Sequence, residues 1–274
     1  MTLDFDVRER RAWAGQAAAY EASFGLLCAH AVPALLEAAT GSLPLPGLHL
    51  LDVGTGTGTV ASAALARGAK VTAVDAEPDM VAHTASAVPD ADVRQAALPE
   101  LPFSDGEFDA VAGNFVLNHV GRPAAALADL RRVTRPGGRI ALTIWASPAA
   151  PGKALLGRAL SAAGVLDRLD FPSLAPEDDF PRDEPGFASL LTAAGLSDVS
   201  CELLAWDHHT TPDEWWSGPA SGMATIGQAL RTLPPETVAD IHAHFVTLAK
   251  EFTRADGTLA LPHTALLATG RAPD

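Results

Sequence analysis

The chain has few residues of several kinds, and each scarcity excludes a class of protein. It has two cysteines, Cys28 and Cys201, which cannot form a CxxC pair or a disulfide framework, so a reducing, cytoplasmic setting is expected. Its 19 basic residues stand against 33 acidic ones, a formal charge of −14 with no basic stripe, so a nucleic-acid partner is not expected. No apolar run approaches the ~20 residues of a membrane span, and residues 1–11 have no signal-peptide pattern. Neither membrane insertion nor secretion is therefore expected.

The histidines do not form a metal motif. His208 and His209 are adjacent, while His242 and His244 are two apart on a predicted helix, so neither pair shares a face. No metal site is predicted.

The most informative segment is Leu50–Thr59, which reads LLDVGTGTGT. An apolar run ends in Asp52, three glycines follow at every second position, and a helical pattern starts near Val60. This order predicts a buried strand, a tight turn that brings backbone close to a ligand, and a helix. A turn with a purely structural role is the alternative.

The glycine spacing argues against a dinucleotide. A GxGxxG fingerprint that begins at Gly54 places Thr59 at the third glycine. One that begins at Gly56 ends on Ala61, and its first glycine is then late for the turn. No Gly-Lys-Ser/Thr follows, which excludes a P-loop. An NAD(P)-dependent oxidoreductase is therefore the weaker alternative.

The following segments continue a βαβ pattern. Residues 71–75 form a second predicted strand, and its last residue, Asp75, can accept both hydroxyls of a ribose. Residues 108–114 are a fourth strand, 135–139 (RPGGR) a turn, and 140–145 a fifth strand. Alternation of this kind predicts a parallel sheet with helices on both faces.

In the order and spacing of these motifs the chain resembles the class I S-adenosylmethionine (SAM)-dependent methyltransferases of small-molecule type. The resemblance covers residues 45–146 firmly and the rest loosely. It implies an α/β fold, a doubly wound, mostly parallel, seven-stranded Rossmann-like sheet with N-terminal helices and a helical cap. It implies SAM as cofactor and methyl transfer to the O, N or C atom of an aromatic or hydrophobic secondary metabolite. A SAM-binding protein with non-methylating chemistry or a binding role is the main alternative.

Four regions follow from this pattern. Residues 1–46 are predicted to be N-terminal helices that close over the cofactor, with a helical stretch over 10–39 divided at Pro33 and a linker at 41–47. Residues 47–146 are the SAM-binding core, 147–185 a cap insertion, and 186–274 the rest of the sheet with a second cap insertion at 207–255. The last strand, 259–269, is expected to be antiparallel, as in the resembled family. A monomer or homodimer is expected.

The resemblance also assigns cofactor residues. It implies that the glycine loop contacts the amino-acid part of SAM and that Asp75 binds the ribose. Met80 and the Ala97–Leu98 segment are expected to contact the adenine, and Asn114 the methionine part. Ala96 and Ala97 stand where many relatives have an Asp or Asn, so adenine recognition is expected to use backbone groups. Trp13 resembles an aromatic position of the N-terminal helix that closes over SAM. The full cofactor set is Tyr20, Asp52, Gly54, Thr55, Gly56, Gly58, Asp75, Ala76, Met80, Ala97, Leu98 and Asn114.

The acceptor side is predicted from titratable and aromatic residues. His119 follows the fourth strand and is the leading general base, since an imidazole titrates in the useful range. His208 and His209, after the sixth strand, are the second catalytic candidates. The predicted substrate-binding residues are Phe24, Trp206, Trp215 and Trp216. The acidic surface and closed cap favour a neutral or cationic metabolite.

Overall fold

The computed structural model describes residues 2–41 and 44–273, and their centre is a seven-stranded sheet. The strand order is β3-β2-β1-β4-β5-β7-β6, and β7 runs antiparallel to both β5 and β6, whereas the other neighbours are parallel. This confirms the predicted doubly wound, mostly parallel fold. The strands are β1 (His49–Val53), β2 (Lys70–Asp75), β3 (Asp92–Gln95), β4 (Phe108–Asn114), β5 (Thr134–Trp145), β6 (Ser197–Thr210) and β7 (Leu259–Arg271).

Twelve α-helices accompany the sheet in the described residues. Helices α1–α4 precede β1, α5–α7 lie between strands, and α8–α12 follow β5. Their bounds are α1 (Thr2–Trp13), α2 (Ala17–Glu21), α3 (Phe24–Cys28), α4 (Val32–Thr40), α5 (Thr59–Leu65), α6 (Pro78–Ala87), α7 (Pro123–Val133), α8 (Pro151–Ala162), α9 (Glu184–Ala193), α10 (Pro212–Ala220), α11 (Ala224–Leu230) and α12 (Pro235–Ala249).

Apolar side chains cover both faces of the sheet. On one face Leu51, Val111 and Ile140 pack with residues of α7 and α9, and on the other Leu50 and Ala141 pack with α4 and α5. Central strands buried on both faces read as continuous apolar runs, which is why β1 and β4 were recognisable in the sequence.

The N-terminal region is more divided than its periodicity predicted. The two helices predicted over 10–39, on either side of Pro33, are instead four helices with a 3₁₀ turn at Ala29–Ala31, and the first begins at Thr2. Pro33 lies in the first turn of α4, where its missing N–H costs no hydrogen bond. Ser42 and Leu43 of the predicted linker lie outside the described residues.

Two other boundaries differ from prediction. The RPGGR segment belongs to β5 as a bulge, because β5 advances from Thr134 to Arg139 while β4 advances only from Phe108 to Ala110. Strand β6 continues to Thr210, so residues 207–210 belong to the sheet and not to the cap. Among the described residues, no helix combines the length and hydropathy needed to cross a bilayer.

Candidate active site

A cavity of about 350 Å³ opens at the carboxyl ends of β1, β2 and β4. This is the edge where open α/β sheets bind ligands. Residues of α1, α3, α8 and α10 complete its walls, so both the N-terminal helices and the cap enclose it. Its volume lies in the range typical of small-molecule sites.

The glycine loop forms the floor of the cavity. Gly54 and Gly56 line it, and Gly54 has a φ of 67°, with a Cβ at this position overlapping the Val116 side chain. Glycine is therefore required both by conformation and by space. Gly58 does not line the cavity: a Cβ there would meet Val88 at 2.8 Å and Thr84 at 3.0 Å, so it lets α5 approach α6 closely.

Asp75 lies at the tip of β2 with unused acceptor capacity. Its Oδ2 accepts the Gly56 N–H at 2.9 Å and its Oδ1 accepts the Glu77 N–H at 3.0 Å. Burial raises the pKa of Asp75, and the backbone N–H groups of Glu77 and Gly56 oppose that rise. A carboxylate offers about four lone-pair sites, so two remain for a ribose diol. The site therefore fits the nucleoside of SAM.

Asp52 occupies a different position from the one predicted. It is fully buried beneath the loop and does not line the cavity. Its Oδ2 accepts from the Thr55 hydroxyl at 2.7 Å and from the Ala61 N–H at 3.0 Å. Burial raises the pKa of Asp52 to about 7. Asp52 therefore orders the turn from beneath the loop, which corrects its prediction as a residue that touches the cofactor. The cofactor role of Thr55, whose hydroxyl donates to Asp52, stays a prediction.

The other predicted cofactor residues do line the cavity. Asn114 is fixed at both ends of its amide, because its Nδ2 donates to the Cys28 carbonyl at 3.0 Å and its Oδ1 accepts from Thr143 at 2.7 Å. The Tyr20 ring lies over the loop, 3.3 Å from a Cβ built on Gly56. The lining includes Tyr20, Ala76, Met80, Ala97, Leu98 and Asn114, together with Trp13.

His119 lines the cavity in contact with α1. Its Nδ1 lies 2.7 Å from Glu9 Oε2 and 3.4 Å from Trp13 Nε1. The carboxylate can only accept, so the shorter contact places the proton on Nδ1, and Nε2 is left as the basic nitrogen. His119 and Asp75 line the same cavity.

His208 and His209 do not line the cavity, and their prediction as catalytic residues is wrong. Because β6 continues through them, alternation directs them to opposite faces. His208 is buried, its pKa is lowered to about 4 by that burial, and its ring contacts Trp215 and His263. His209 is exposed, and its Nδ1 accepts from Arg254 at 3.0 Å.

The predicted aromatic acceptor residues divide evenly. Phe24 and Trp215 line the cavity and meet edge to face with ring centroids 5.4 Å apart. Trp206 and Trp216 lie outside the lining, which corrects their prediction. Trp216 stacks on Phe245 and so packs α10 against α12.

Several cavity residues were not predicted from the sequence. Glu9 and Asp6 come from α1. With Trp13 they are spaced three and four residues apart, which indicates one face of a helix. The predicted helix began at residue 10, so this face was not recognised. Trp145, Lys153 and His263 come from three separate elements, and no local sequence pattern connects them.

The sheet order, the glycine loop and the free acceptor sites of Asp75 are those expected of a SAM-dependent methyltransferase. Residues 51–142 match the family model described as a methyltransferase domain. A demethylmenaquinone methyltransferase of Beutenbergia cavernae is 36% identical over 168 residues, which is 58% of this chain and 70% of that protein.

Solved structures show the same fold. YcgJ of Bacillus subtilis has a TM-score of 0.55 at 18% identity, over 89% of this chain and 99% of that one. A second neighbour is phosphoethanolamine N-methyltransferase 2 of Haemonchus contortus, in complex with phosphomonomethylethanolamine and S-adenosylhomocysteine. It has a TM-score of 0.53 at 18% identity, and the match covers 89% of this chain and 53% of that one. This chain belongs to the SAM-dependent methyltransferase family, and its cofactor is SAM.

Proposed function

We propose that this methyltransferase acts on a small aromatic or hydrophobic acceptor. The acceptor is held in the part of the cavity lined by Phe24, Trp145 and Trp215, which is called the aromatic half below. The observation that carries the proposal is continuity: the residues that fit SAM and the side chains of Phe24, Trp145 and Trp215 line one cavity. Aromatic walls with few polar groups are typical of sites for such ligands. The name of the relative from Beutenbergia cavernae, a demethylmenaquinone methyltransferase, supports an acceptor with a ring.

The residues of the chain divide into two tasks. SAM, when bound, supplies a methyl group already activated by its sulfonium. Asp75 and the glycine loop hold the cofactor, and the aromatic half of the cavity aligns the acceptor and excludes water. Alignment of this kind can supply ~7–11 kcal/mol of the barrier to a two-substrate reaction.

The general-base role of His119 stays a prediction. Its geometry gives that prediction a partner, because Glu9 holds Nδ1 and leaves Nε2 to accept a proton. A positioned base contributes roughly 10²–10⁴-fold to turnover. Glu9 would be the positioning residue of the pair.

Two adjacent tryptophans provide a matched test. Trp215 lines the cavity, while Trp216 packs against Phe245 outside it. S-adenosylhomocysteine formation would be measured with a panel of phenols and quinols. Trp215→Phe should raise the acceptor KM and leave SAM affinity unchanged, whereas Trp216→Phe should change neither.

The comparison can also fail clearly. Equal effects of the two substitutions on the acceptor KM would remove the aromatic half of the cavity as the acceptor site. SAM binding without turnover on any acceptor would favour the alternative of a non-methylating SAM-binding protein.

A further inference from the structure

Lys153 is the one lysine that lines the cavity in the described part of the chain. It lies in the first turn of α8, with its Nζ 4.5 Å from the centroid of the Trp145 ring. Among the described residues it makes no salt bridge, and no oxygen accepts a hydrogen bond from it. A cation in the first turn of a helix is also unfavourable for the helix dipole. The position therefore does not stabilise an ammonium by itself.

The groups around Lys153 carry no negative charge. Burial lowers the pKa of Lys153, and the one neighbouring group that opposes this is the Cys28 thiol. Burial raises the pKa of Cys28 to about 11, so it is a neutral thiol near pH 7. Burial also lowers the pKa of His263 to about 4, so this ring is neutral as well. In the described part of the chain, no carboxylate is among the groups that shift the pKa of Lys153.

An ammonium in such a site is costly unless it is paired. The Trp145 ring face offsets part of that cost through a cation–π contact. The remaining partner has to be an acceptor atom of the bound molecule. The ligand thus brings an oxygen with negative charge, or one able to develop it, to Nζ.

His263 restricts the kind of oxygen further. It is 1% exposed and lines the same cavity, with its ring centroid 5.9 Å from that of Trp145. Its Nδ1 lies 2.8 Å from the Leu261 carbonyl, which only accepts, so the proton is on Nδ1 and Nε2 is an acceptor. No described residue donates to this Nε2. A neutral hydroxyl beside Lys153 can turn its proton toward the His263 side of the cavity, which a carboxylate cannot do. When the hydroxyl ionises, its proton passes to solvent and Lys153 alone holds the anion.

The aromatic surroundings indicate what carries that hydroxyl. Trp145 stacks on Phe115 with ring centroids 4.1 Å apart, and Trp215 lies 5.5 Å from His263. Flat walls of this kind suit a ring, and a hydroxyl attached to an aromatic ring is acidic enough to ionise beside a cation.

We propose that Lys153 is the acceptor-recognition residue of this enzyme, and that its ammonium binds the oxygen of an ionisable hydroxyl on an aromatic acceptor, beside Trp145 and His263. This inference rests on the proposed function, because it names the class of acceptor for the same cavity.

The test uses 4-nitrophenol, a phenol whose absorbance reports its ionised fraction. The probe is titrated into the purified protein saturated with S-adenosylhomocysteine, at a pH near the pKa of the probe. The wild-type protein should increase the ionised fraction of the bound probe. Lys153→Met should abolish this increase and weaken probe binding by about 10- to 100-fold, as expected for a lost hydrogen bond to a charged group.

Two further variants separate charge from packing. Lys153→Arg keeps the positive charge and should retain part of the increase in ionised fraction. Lys250→Met removes an exposed lysine and should behave like the wild type. Calorimetry with SAM and thermal melting establish that each variant is folded and binds the cofactor.

Each other outcome overturns the inference in a distinguishable way. Wild-type protein that binds SAM but does not shift the ionisation of the probe overturns the inference and leaves methyltransferase activity intact. A Lys153→Met variant that increases the ionised fraction of the probe as much as the wild type does also overturns the inference. A loss of SAM affinity in Lys153→Met would assign the residue to the cofactor. Failure of the wild-type protein to bind SAM would overturn the proposed function itself.

Discussion

Replacing Asp75 with Asn tests the cofactor half of the site with the least change of shape. Each Asp75 oxygen already accepts one backbone N–H, from Gly56 at 2.9 Å and from Glu77 at 3.0 Å. The two acceptor sites that remain are those assigned to the ribose diol. Asn keeps the volume, removes the charge, and replaces one oxygen by an amide nitrogen that cannot accept.

The expected loss follows from these contacts. A hydrogen bond to a charged group contributes roughly 1.5–3 kcal/mol net. The substitution removes one such bond and weakens the other, so the loss is about 2–4 kcal/mol, or roughly 30- to 800-fold in Kd. Calorimetric titration with SAM measures it directly. Asp90→Asn, at an exposed acid, is the matched control and should bind SAM like the wild type.

A SAM analogue that lacks one ribose hydroxyl separates direct recognition from a rearranged loop. The missing hydroxyl should weaken binding to the wild-type protein and have little further effect on Asp75→Asn, because the two changes remove the same contact. Unchanged SAM affinity in the variant would refute the assignment. Additive losses would show that Asp75 acts by holding the glycine loop instead.

Two further predictions concern other buried or paired groups. His119→Ala should lower turnover more than SAM affinity once an acceptor is known, and Glu9→Gln should give a smaller loss in the same direction because it keeps the 2.7 Å contact without the charge. Equal losses in turnover and affinity would place the pair in the cofactor enclosure. Asp52→Asn should flatten the dependence of Tm on pH, because burial raises the pKa of Asp52 from 3.8 to about 7. Protonation of Asp52 then stabilises the folded state, and this contribution, roughly 4 kcal/mol, is fully present below about pH 4. It is lost as the pH rises to about 7. An unchanged slope between these values would contradict the buried position of the acid.

The cofactor half was predictable because its determinants are local. The segments that form β1 with its glycine loop and β2 with Asp75 are each continuous in sequence, and parallel strands bring their carboxyl ends to one edge. Asp52 was the exception, since a sequence pattern does not show which side of a turn an acid faces. Its hydrogen bonds to Thr55 and Ala61 decide that question.

The acceptor half was not predictable because it is assembled from distant segments. Lys153 and His263 meet beside Trp145 only because β7 pairs with β5 and α8 packs on β7. The error over His208 has a related cause. Strand β6 pairs with β7 as far as Thr210, and this long-range ladder, absent from any local pattern, extended the strand through both histidines.

The proposed role of Lys153 favours an acceptor of different charge from the one that the surface composition predicted. The net charge of −14 favoured a neutral or cationic acceptor. Surface charges are screened over about 8 Å at physiological ionic strength, whereas a charge inside a dry cavity is screened much less. A single half-buried Lys153 beside neutral Cys28 and His263 therefore has more influence on a molecule bound in the cavity than the excess of distant carboxylates. The acidic surface affects solubility and encounter, but the local balance of buried groups selects the acceptor, and here that balance favours an oxygen that can become negative.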